Sequence, residues 1–156
     1  MDIKRSLAAV VGLLLIFTSF VAPSAASAAA KPVKTNFTKM SDLLSTLKAK
    51  GVTCSPYSKT PAELVIEEGK CQFQGVEILI DLWPKAKTAK DFADSMKKVA
   101  AYYIETEFWP AGSKMFIFYT NNSILSIDGV MPGTAKAEKV AKLMEKKLGI
   151  KYVIGS

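Results

Sequence analysis

Between residues 76 and 82 apolar and polar positions alternate. Val76, Ile78, Ile80 and Leu82 share one side; Glu77 and Asp81 share the other, with Leu79 and Trp83 beside them. A period of two marks a strand with one buried face. Residues 68–74 show the same pattern with Cys71 and Phe73 on one face, and Gly75 permits a turn between the two runs, so they read as a hairpin. A second hairpin is expected from 114–120 and 123–129, joined at Asn121-Asn122. Asparagine favours such turns because it tolerates positive φ.

Three stretches switch to the helical period. Met40, Leu43, Leu44 and Leu47 recur at i, i+3, i+4, i+7, which predicts a helix over 38–50 with Thr38 as N-cap and Gly51 just beyond its end. Phe92, Met96, Val99, Ala100 and Tyr103 predict a second inner face from about Thr88 to Ile104. Ala137, Val140, Ala141, Met144 and Leu148 predict a third over 134–148, closed by Gly149. Thr60-Pro61-Ala62-Glu63 reads as a capping box, whereas Leu64-Val65-Ile66 prefers strand; residues 62–66 fit either a helical turn or a short strand. Ile150, Tyr152 and Ile154 alternate, as a short strand or a packed tail does.

The order helix, hairpin, helix, hairpin, helix predicts a single α+β domain over 38–156. Its expected core is a four-stranded antiparallel sheet covered by helices on one face. Residues 29–37 are expected to be a flexible lead. Residues 1–28 carry Lys4 and Arg5, an apolar run from Leu7 to Val21, and Ala26-Ser27-Ala28, with Ala28-Ala29-Ala30 as a second cleavage option. That is the layout of a secretory signal peptide cleaved near Ala28 or Ala30, and the apolar run is shorter than the roughly 20 residues of a spanning helix. No second long apolar run follows, so the mature chain is expected to be secreted or held in the cell envelope, with no transmembrane segment.

Charge narrows the partners. The net charge is +7, and every basic residue except Arg5 is lysine. Specific recognition of phosphates and bases leans on arginine's planar fork, so nucleic acid is not expected; a lysine surface suits diffuse attraction to anionic polymers or lipids. Lys139, Lys142 and Lys146 share a face of the last helix and are the candidate residues for such a polymer, set against a merely solvated face relieved by Glu138 and Glu145.

The two cysteines, Cys54 and Cys71, lie in the part of the chain that export would carry into an oxidising compartment, so a structural disulfide is expected. Their spacing is not C-x-x-C, and with no histidine in the chain a zinc site is not expected. The leucine-bearing helix, Gly51-Val52-Thr53-Cys54, Gly69-Lys70-Cys71, the strand after Gly75-Val76 and the Ala-rich helix 135–148 together resemble a loose group of small exported actinobacterial proteins. The resemblance spans residues 43–149 and implies a paired disulfide and an α+β fold, with no activity attached. A Gly-x-x-Trp frequent in that group is missing: Gly112 is followed by Ser113-Lys114-Met115.

The absence of histidine removes the Ser-His-Asp and Cys-His nucleophile systems, and no phosphate loop occurs. Carboxylate pairs remain: Glu67-Glu68, Glu77/Asp81 and Glu105/Glu107. Glu77 and Asp81 share a strand face but stand about 13 Å apart along it, too far for either glycosidase geometry. No enzyme activity and no cofactor are expected. Phe108-Trp109-Pro110 lies in an irregular connection, where binding residues often cluster, so Phe108 and Trp109 are candidate contacts. The expected role is an exported, non-catalytic module that binds anionic envelope polymer or another exported protein. The alternative is a disulfide-stiffened inhibitor or immunity protein against a secreted hydrolase or toxin.

Overall fold

A computed structural model describes residues 31–33 and 35–156. The expected signal peptide, residues 1–28, lies outside them. The elements run α1 (Met40–Ala49), β1 (Tyr57–Thr60), β2 (Glu67–Phe73), β3 (Val76–Leu82), α2 (Ala86–Glu105), β4 (Lys114–Tyr119), β5 (Ser123–Gly129), α3 (Thr134–Leu148) and β6 (Val153–Gly155). All pairings are antiparallel, in the order β1-β2-β3-β5-β4-β6. The fold is α+β, but the sheet has six strands where four were expected.

The two additional strands are the sheet's edges. β1 reads Tyr-Ser-Lys-Thr, in which only Tyr57 carries an apolar signal. Its fit depends on Gly69 in β2: a Cβ there would collide with the Tyr57 ring, which lies across the neighbouring strand. The phenol then donates to Glu67 Oε1 at 2.9 Å. At the opposite edge β6 pairs with β4, and Tyr152 packs on Phe116 and Phe118 at centroid distances of 5.5 and 5.6 Å.

The helices also depart from expectation: they cover both faces. α1 and α3 pack with Ile78, Ile80, Leu82, Phe116, Phe118, Leu125 and Ile127 in one core. α2 packs on the other face, against Met115, Ile117 and Ile124. β4 reads Lys-Met-Phe-Ile-Phe-Tyr and is apolar on both sides because it is the strand covered twice. Residues 31–37, expected as a loose lead, carry two core side chains, Val33 and Phe37.

α2 turns inward only part of the side its periodicity suggested: Met96, Ala100 and Tyr103 belong to the core cluster. Ala89, Ala93 and Ala100 are buried, while Phe92 and Val99 are exposed. At Ala100 the reason is the closeness of β6: a Cβ on Gly155 would stand 2.8 Å from Ala100 Cβ and 3.1 Å from Lys97 Cα. Only small side chains fit there, so the larger ones flank the contact. α2 begins at Ala86, and α1 is flanked by Lys39; neither has a side-chain N-cap bond, so Thr38 does not cap α1. α3 buries the five residues its periodicity named.

Both predicted hairpins form, by different means. Gln74 and Gly75 both have positive φ, 54° and 68°, giving the two-residue turn whose twist matches the strands. Neither Asn121 nor Asn122 has positive φ. The value of Asn122 lies in its side chain, which is buried. It accepts from the Phe37 N–H at 2.9 Å and donates to the carbonyls of Phe37 and Trp83, both at 2.8 Å.

Candidate functional site

Cys54 and Cys71 form the expected disulfide, with Cα atoms 5.3 Å apart. The bridge closes a segment containing β1 and the connection 61–66. That connection is neither the helical turn nor the strand that its sequence allowed; it bends irregularly before Ile66 N–H bonds to the Leu82 carbonyl at 2.7 Å.

α2 packs on β4, β5 and β6 and leaves the β1–β2–β3 half of its sheet face without a helix. At the border between the covered and uncovered halves lies a cleft of about 300 Å³, lined by residues 61–65, Glu68, Asp81, Trp83 and Phe92. The strands position its floor. Glu68 pairs with Asp81 across β2–β3, and Asp81 in turn pairs with Ile124 of β5. Partners in an antiparallel register point to the same side, so the two carboxylates are neighbours. Trp83, two residues on, shares that side and meets the Phe92 ring at 4.8 Å and 41°.

The carboxylates differ in their surroundings. Glu68 accepts from Thr60 Oγ1 at 3.0 Å. No donor among the described residues reaches Asp81, whose pKa is pushed up to about 6, first by burial and then by the Glu68 charge. Trp83 is 5% exposed, and its indole N–H is buried with no acceptor among the described residues.

A carboxyl whose pKa rises on folding holds its proton longer in the native state, so stability falls as pH rises from about 4 through about 6. Asp81→Asn removes that cost. We expect it to raise unfolding free energy at pH 7 by about 1–2 kcal/mol and to have little effect at pH 4. Denaturant unfolding at both pH values checks this; destabilisation at pH 7 would contradict it.

The carboxylate pairs read along the chain are rearranged by the sheet. Glu67 and Glu68 point to opposite faces, Glu67 toward Tyr57 and Lys59, Glu68 into the cleft. Glu77 forms an ion pair with Lys70 at 3.3 Å. Glu105 and Glu107 are exposed at the end of α2. Among the described residues no group of three or more acidic, cysteine or histidine side chains is placed to hold a metal ion.

No family model matches this chain, and neither curated proteins nor solved structures provide a match. Phe108 and Trp109 are adjacent in sequence but part in space: Phe108 is 71% exposed and Trp109 is 7% exposed. Both rings pack on Tyr103, at 5.1 and 5.4 Å, so Trp109 is a core residue and Phe108 alone offers a surface.

Lys139, Lys142 and Lys146 are exposed on α3. Lys142 is paired with Glu138 at 2.8 Å, and that hydrogen bond holds the glutamate below its usual pKa. α1 lies on the same face of the sheet and adds Lys48 and, just past its end, Lys50. The Lys147 side chain of α3 reaches the residue beyond the end of α1: a Cβ on Gly51 would stand 2.7 Å from its Nζ.

Sequence reasoning did not single out Trp83, Phe92 or the Glu68–Asp81 pair as a site. A usable signal existed. Counting outward from the Gln74-Gly75 turn places 68 opposite 81 once the turn is taken as a two-residue loop.

Proposed function

We propose that this protein is an exported, non-catalytic module that holds anionic polymer of the cell envelope on the outer side of α1 and α3. The supporting observation is the placement of both helices on one face of the sheet, so that Lys48 of α1 and the exposed lysines of α3 belong to the same side of the molecule. The counter-charges within the two helices are Asp42, Glu138 and Glu145. Lysines spread over two helices give a field that suits a repeating anion better than a single group. The disulfide and the lack, among the described residues, of a helix able to cross a membrane are compatible with an extracytoplasmic setting.

The reading makes a salt-dependent prediction. Screening shortens the reach of a surface charge from about 10 Å at 0.1 M to about 3 Å at 1 M salt. The purified protein is expected to co-sediment with isolated envelope at low salt and to be released by roughly 0.5 M salt. Lys139→Glu with Lys146→Glu is expected to weaken the low-salt binding about tenfold. Binding that survives high salt, or none at low salt, overturns the proposal.

A second reading, as an inhibitor, draws on Leu64, 80% exposed on the connection inside the disulfide-closed segment. An apolar anchor on a constrained loop suits a protein partner, and binding of that kind persists in salt.

A further inference from the structure

The cleft at the border of the α2-covered sheet face has a chemistry opposite to that of the chain as a whole. The net charge is +7 and almost all of the basic side chains are lysine, yet none of the cleft's lining residues is basic. Three are acidic and come from three places: Glu63 from the 61–66 connection, Glu68 from β2 and Asp81 from β3. The nearest lysine of the same sheet face in β2, Lys70, is engaged with Glu77; Lys59 pairs with Glu67 on the other side. From α2 the cleft receives Phe92, and β5 sets Ile124 beside Asp81.

Two like charges facing each other across a strand pair destabilise the sheet unless a cation relieves them. The walls suit a particular kind of cation. The Trp83 and Phe92 rings meet at 41°, so they present two differently inclined faces rather than one flat stack. Ring faces attract organic ammonium groups, most strongly where water is excluded. A volume of about 300 Å³ lies at the small end for ligand sites.

We propose that this cleft, floored by Glu68 and Asp81 and walled by Trp83, Phe92 and Leu64, binds a small organic ammonium ion. The site is separate from the lysine-bearing helix face and does not depend on it. The ammonium sits against the carboxylates, and its carbon substituents displace water from the rings. An anionic ligand is repelled, and a neutral one leaves the carboxylates facing each other.

The test uses choline as the probe and 3,3-dimethylbutan-1-ol as its neutral isostere, with calorimetric titration of the purified protein. Choline is expected to bind, and the alcohol to bind about tenfold more weakly or less. Asp81→Asn keeps the shape of the side chain and removes its charge; it is expected to weaken choline binding about tenfold without lowering the melting temperature. A third arm needs no variant. Lowering the pH from 7 to 5 protonates Asp81 and is expected to weaken choline binding to the unaltered protein about tenfold. Absence of choline binding, equal binding of the isostere, or affinity indifferent to both Asp81→Asn and pH overturns the proposal.

Discussion

Asn122→Ala is expected to lower the unfolding free energy by about 3 kcal/mol, a large fraction of what a single domain of this size possesses. The side chain makes three hydrogen bonds in a site that is 3% exposed, to the N–H and carbonyl of Phe37 and to the carbonyl of Trp83. Alanine removes all three and leaves main-chain groups in the interior without partners, which costs more than the bonds themselves contribute. Asn122→Asp is no milder, since it keeps the acceptor for Phe37 N–H but turns a carboxylate toward two carbonyl oxygens. Equilibrium denaturation gives the number, and a loss under about 1 kcal/mol would show that water replaces the amide. Asn122 ties residues 31–37 to the start of the cleft wall, so the variant is also expected to expose Phe37 and loosen Trp83. A red shift of tryptophan emission below the unfolding transition reads the second effect.

Replacing both cysteines with alanine is expected to cost about 3 kcal/mol. The bridge spans 17 residues, and in the chain-entropy view closing a loop of that length removes about that much freedom from the unfolded chain. Cys71 also sits in the main core, so its truncation adds a small packing loss. The loss should fall unevenly. β1 is an edge strand held by β2, its Tyr57–Glu67 bond and the bridge. Hydrogen exchange at 57–60 is expected to accelerate far more than at β4, which is paired on both sides. Uniform acceleration across the sheet would mean that the bridge stabilises the whole domain rather than its edge.

Much of this architecture was readable from side-chain periodicity. α3 is a case in which a stripe of five apolar residues met a single core, and the stripe was the buried face. β3 is another, because alternation is set by the pleat and needs no knowledge of what covers it. Failures occurred where a neighbour determined the outcome. β1 lacks a hydrophobic signal of its own and exists because Gly69 leaves room for the Tyr57 ring. α2 presents Ala100 to β6 because that strand, distant in sequence, comes too close for anything larger. Residues 31–37 show no period, yet Val33 and Phe37 fill the core.

The candidate sites divide in the same way. The lysines of α3 and the cysteine pair could be named from composition and spacing alone, since charge excess and the oxidation of paired cysteines are properties of residues and compartment. Legible from residue order alone were the three helices, the two hairpins, the inner face of α3 and the Cys54–Cys71 pairing. Packing between distant segments put α2 on the opposite face, over β4, β5 and β6, and left Asp81 and Glu68 in a half-covered cleft beside Trp83 and Phe92. The physical reason is that periodicity encodes which side of an element avoids water, whereas the partner supplied to that side depends on packing between segments far apart in the chain.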